Sequence, residues 1–85
     1  MYSYKEMKPT VLTDEGQVKF LRVRDHVHKV LAESGAITLE KAMSTVHGDS
    51  WEAMACVDRL VELKEIKEIP QTNIPTQQKV YIKLF

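Results

Sequence analysis

TLEKAMSTVHGDSWEAMACVDRLVELKEIKEI, residues 38–69, followed by KVYIKLF, residues 79–85, is the stretch that decides the fold. Thr38 is an N-cap type, and Leu39, Ala42, Met43 and Val46 behind it recur at helical spacing. Gly48 is placed to end that helix. Asp49 and Glu52 then have the spacing of a capping box, with Ser50 as an alternative cap. The spacing predicts a further helix to about Leu63, with Val57, Leu60 and either Met54 or Cys56 turned inward. Ile66 and Ile69 are three apart and cannot share one face of a regular strand, so Ile66 reads as a junction and Ile69 as strand. Residues 70–78, with Pro70 and Pro75, read as a loop. Val80, Ile82 and Leu84 alternate with Lys79, Tyr81, Lys83 and Phe85, the pattern of a half-buried strand.

Upstream, Thr13 followed by Asp14 and Glu15 marks a helix start. Phe20, Val23, Val27, Val30 and Leu31 form its apolar stripe, Arg22, Asp25 and Lys29 lie opposite, and Gly35 supplies the stop. Ala36 and Ile37 offer room for a very short extra strand. Residues 1–12 show no clean period, and Pro9 argues against a helix running through them. They read as an N-terminal arm, and residues 13–85 as the domain.

A chain of 85 residues makes one domain, and buries only about 60–65% of its unfolded surface, which disfavours a deep cleft. No apolar run approaches the roughly 20 residues of a membrane span, and the N-terminus lacks an apolar signal core. With the single Cys56, this points to a cytoplasmic protein without an internal disulfide. Lysine and arginine balance aspartate and glutamate at 12 each, but unevenly. Residues 1–35 carry six basic and five acidic side chains, residues 38–69 four basic and seven acidic.

The segment from Val57 to Ile66 resembles the end of a recognition helix and its passage into the first wing strand in the winged helix-turn-helix superfamily. Lys64 stands where a glycine is usual, and Glu65 where an apolar residue is usual. The resemblance implies a mostly α fold with a small β-hairpin (α+β): three helices followed by a two-stranded antiparallel wing. It also implies double-stranded DNA binding of the transcription-regulator type, the third helix lying in the major groove. The contact set would be Ser50, Trp51, Ala55, Arg59, Asn73, Gln77 and Lys79. On that helix Glu52, Ala55, Arg59 and Glu62 read as outward, with Trp51 at the margin. Arg59 alone suits bidentate recognition of guanine.

The reading leans narrowly to DNA; the alternative, for which the acidic third helix and a loop without a basic residue before Lys79 speak, is a protein partner or a homodimer on a scaffold that has lost DNA binding. On that reading the interface is Trp51, at the start of the third helix, with Tyr81 and Phe85 on the outer face of the terminal strand. No metal or cofactor is expected. His26 and His28, two apart on a helix, point to different faces, and His47 and Cys56 complete no zinc spacing. Gly16, Gly35 and Gly48 stand alone, so no phosphate loop is present. No nucleophile or acid–base pair converges, and the chain reads as a binding module rather than an enzyme.

Overall fold

Residues 1–70 and 78–84 are described by the structure, a computed structural model. Among them are four helices and a small three-stranded antiparallel sheet: α1 (Tyr4–Val11), α2 (Asp14–Ser34), β1 (Ile37–Thr38), α3 (Leu39–Met43), α4 (Ser50–Glu62), β2 (Ile66–Glu68) and β3 (Val80–Lys83).

Local chemistry sets most of the boundaries. The Thr13 side chain accepts the Gly16 N–H at the start of α2. Gly35 closes α2 at φ 79°, where a side chain would be strained. Thr38 accepts the Lys41 N–H and starts α3. That helix ends at Met43, short of the expected Gly48. Ser44 Oγ donates to Lys41 O at 2.7 Å, so a side chain competes for the backbone that would have continued the helix. Val46 still packs against the core from the turn that follows.

Only half of the expected capping box forms. Asp49 accepts from the N–H groups of Trp51 and Glu52, but the Glu52 carboxylate turns away to Lys19 Nζ at 2.9 Å. At the other end of α4, Lys64 N donates to Val61 O and Glu65 N to Leu60 O, the two bonds of a Schellman ending. Lys64 therefore takes φ 60°, the left-handed region that favours glycine. Lys64→Gly should stabilise the domain by about 0.5–1 kcal/mol, read by urea unfolding; a loss of stability would mean that the lysine side chain has a packing role.

The strands pair in the order β1-β3-β2. Ile37 lies opposite Tyr81, and Ile66, Lys67 and Glu68 lie opposite Lys83, Ile82 and Tyr81. Strand β2 thus begins at Ile66, and Ile69 follows it, donating to Val80 O at 2.8 Å. Paired residues point to one side, so Ile37, Ile66 and Tyr81 together face the core and all three are buried. The terminal strand is accordingly turned over relative to the expected interface: Tyr81 goes in, while Val80 and Ile82 are half-buried and Leu84 is exposed. The alternation defines two faces, and only the buried isoleucines of the flanking strands choose between them.

The N-terminal segment differs most from expectation. It is helical through Pro9 and packs on both α2 and α4. Proline there removes one helical N–H and crowds the carbonyl four residues back, a cost of about 3 kcal/mol that packing must offset. Tyr4, Met7 and Val11 repeat at helical spacing, with Val11 fully buried and Met7 packed against the core.

Candidate functional site

With about 100° per residue, Trp51, Ala55, Asp58 and Glu62 share one stripe of α4, opposite Leu60. A helix entering a DNA groove would present that stripe. Here α1 and the residues before it lie on it. Tyr2 donates its hydroxyl to Asp58 Oδ2 at 2.5 Å and sets its ring edge-on to Trp51, centroids 6.4 Å apart. Tyr4 donates to Glu62 Oε1 at 2.7 Å, and Lys8 Nζ pairs with Glu62 Oε2 at 2.8 Å. Ala55, between these contacts, has no exposed surface. A small side chain at that position permits the close approach.

The charges on α4 are correspondingly occupied. Hydrogen bonds from Lys8, Tyr4 and Arg59 hold the Glu62 carboxyl well below its usual range, at about 2. Asp58 is pushed the other way: burial raises its pKa, and the Tyr2 hydroxyl offsets part of that. The phenols of Tyr2 and Tyr4 are raised, by burial first and then by the carboxylates they bond.

The sign of the pH effect follows. A carboxyl whose pKa is lowered by folding stabilises the fold above its ordinary value and loses that contribution as the folded-state group protonates. Glu62 should thus contribute fully above about pH 4.5 and lose its effect as the pH falls towards about 2. Glu62→Gln should be less stable than the parent at neutral pH, and the difference should close across that window. Paired urea titrations at a series of pH values check this, and a gap independent of pH would contradict it.

Among the described residues, the expected contact set is exposed only in part. Ser50 is exposed, and Trp51 is 44% exposed. Ala55, read as outward, is buried beneath α1, and Glu52, also read as outward, is 6% exposed beside Lys19. Arg59 Nη1 donates to Glu62 Oε1 at 2.7 Å. Lys79 lies 3.7 Å from Glu68. Asn73 and Gln77 fall outside the described residues, as does Phe85. Of the alternative interface set, Tyr81 is 3% exposed in the core and leaves only Trp51 at the described surface. Tyr2 and Tyr4 are among the N-terminal side chains that the sequence offers for packing, with Trp51 able to close against them, but their contacts with Asp58 and Glu62, and Lys8, are not read from it. Their signal was the helical spacing of Tyr4, Lys8 and Val11, interrupted to the eye by Pro9.

Cys56, His26, His28 and Glu65 are also held within the fold. Burial pushes the Cys56 thiol up to about 11, which leaves it protonated and unreactive at neutral pH. His26 Nε2 lies 3.0 Å from Lys41 O, and His28 Nε2 lies 2.7 Å from Glu65 Oε1. Burial alone would raise the Glu65 carboxyl, but hydrogen bonds from His28 and Arg24 outweigh it and leave the pKa lowered. Glu65 therefore ties the end of α4 to α2, in place of the apolar contact usual at that position of a Schellman ending. No described helix is long and apolar enough to cross a membrane. No family model, curated protein or solved structure matches this chain.

Proposed function

We propose that the protein is a non-enzymatic interaction module on a winged-helix scaffold, and that its partner is another protein chain, a second copy included. The scaffold reading is supported by the order of helices and strands and by the strand order β1-β3-β2. One observation carries the choice of partner: the stripe of α4 that would enter a major groove is filled by the chain's own Tyr2, Tyr4 and Lys8. Its two carboxylates, Asp58 and Glu62, are engaged, and both are the wrong sign for phosphate. Among the described residues, exposed apolar side chains also lie away from that stripe. Val18 and Leu21, one turn apart on the solvent side of α2, are 53% and 49% exposed. Light scattering at increasing concentration tests the homodimer form. Self-association should appear and should weaken in Val18→Asp/Leu21→Asp, with the fold retained by circular dichroism. A strict monomer leaves a different protein as the partner, to be sought with that same double variant as the control.

Double-stranded DNA is the second reading. It is favoured by Ser50 and Trp51, which stay accessible at the first turn of α4, the end of a recognition helix that meets base edges. A salt-dependent shift with duplex DNA, abolished by Trp51→Ala, would establish it over the first.

A further inference from the structure

The solvent side of α2 carries a pattern that the packing of this domain does not use. Asp14, Val18, Leu21, Asp25, His28 and Ala32 follow one another in alternating steps of four and three residues, opposite the buried Phe20, Val23, Val27 and Leu31. That spacing is the seam of a two-helix coiled coil. Its two large apolar residues, Val18 and Leu21, are 53% and 49% exposed. Beside them stand two exposed charges of opposite sign, Glu15 and Arg22, two helical turns apart on the same edge of the seam. Neither forms an ion pair among the described residues. Lys19, one turn from Glu15, is held instead by Glu52 at 2.9 Å.

We infer that this face pairs with the same face of a second copy, the two α2 helices lying antiparallel about a two-fold axis between Lys19 and Phe20. The inference rests on the reading of a second copy as the partner, and it adds the register and the charges that set it. About that axis Val18 of each copy meets Leu21 of the other, so four apolar side chains close over one another. Glu15 of each copy comes beside Arg22 of the other, which gives two ion pairs related by symmetry. Charge selects the direction. Parallel helices would set Glu15 against Glu15, Arg22 against Arg22 and Asp25 against Asp25. The antiparallel pair keeps one kind of like contact, Asp14 of each copy beside Asp25 of the other, at the ends of the patch. Those ends confine the contact to the turns between them. Such a small interface gives a weak dimer, dissociating in the upper micromolar range.

The test is sedimentation velocity of the full chain up to millimolar concentration, with circular dichroism as the check that each variant keeps its fold. Glu15→Lys and Arg22→Glu should each weaken association about tenfold, and the two together should restore it, since the ion pairs are then re-formed with their signs exchanged. Asp25→Lys should strengthen association about tenfold, because it turns two like contacts with Asp14 into opposite ones. In a parallel pair the same change would only replace one like contact by another. Self-association that ignores these charges, or that the double variant fails to restore, would overturn the antiparallel register while leaving a second copy as the partner. A chain that stays monomeric throughout, Asp25→Lys included, would overturn the inference and leave a different protein as the partner.

Discussion

Gly16→Ala should destabilise the domain by roughly 3 kcal/mol, and lower its midpoint of thermal unfolding by more than about 10 °C. The sign is the informative part. Glycine inside a helix is normally about 1 kcal/mol worse than alanine, so the same substitution at an open helical site raises stability. At Gly16 there is no room. An added Cβ would lie 2.1 Å from Thr10 O and 2.6 Å from Val11 O, and those atoms are backbone. The corner between α1 and α2 depends on that approach, with the Thr13 side chain capping α2 across it. Relief requires α1 to shift, which disturbs the fully buried Val11. A neutral or stabilising result in a calorimetric comparison would mean that α1 does not pack against the first turn of α2.

Deleting residues 1–12 should cost more, at least about 4 kcal/mol, from the buried Val11 and the aromatic contacts of Tyr2 and Tyr4. Set against the ~5–15 kcal/mol typical of whole domains, that is a large fraction of the stability. The truncated chain should unfold with little cooperativity and bind a hydrophobic dye, because Ala55 and part of the core lose their cover. A separate arm would behave differently. Its removal would change stability by less than about 0.5 kcal/mol, as for surface changes away from packed contacts. Urea unfolding of the two chains distinguishes the outcomes.

The parts of the fold that were legible in sequence are those written in local chemistry. Thr13, Gly35, Thr38 and Asp49 mark helix ends by what their own atoms can bond or tolerate, and the structure uses each of them so. The position of Lys64, where a glycine is usual, coincides with its left-handed backbone. What required long-range information was hidden. The alternation of residues 79–85 is symmetric between its two faces, and Tyr81 is drawn inward only by pairing with Ile37 and Glu68. Ala55 reads as outward because Leu60 and Val57 define the inner side of α4. A second packing partner on the opposite side is not visible from one helix alone. Pro9 concealed that partner, since its local cost is real and is outweighed only by contacts 40 or more residues away, such as Tyr2 with Asp58 and Lys8 with Glu62.

The candidate site was therefore half legible. Ser50 and Trp51 lie at the surface as expected, Arg59 and Lys79 lie beside the exposed carboxylates of Glu62 and Glu68, and Ala55 is covered by α1. Helix α4 has the inward apolar residues expected of a recognition helix, but its outward stripe is an internal contact of this protein.

NMR titration of the intact protein with duplex DNA at low salt, followed at the Trp51 indole and the amides of Ala55, Asp58 and Glu62, tests this most directly. The covered stripe predicts contacts between the Tyr2 and Trp51 rings that persist throughout, and no saturable change along α4. Saturating shifts at those four residues, with loss of the Tyr2–Trp51 contact, would show that α1 yields the helix to DNA and would contradict the account.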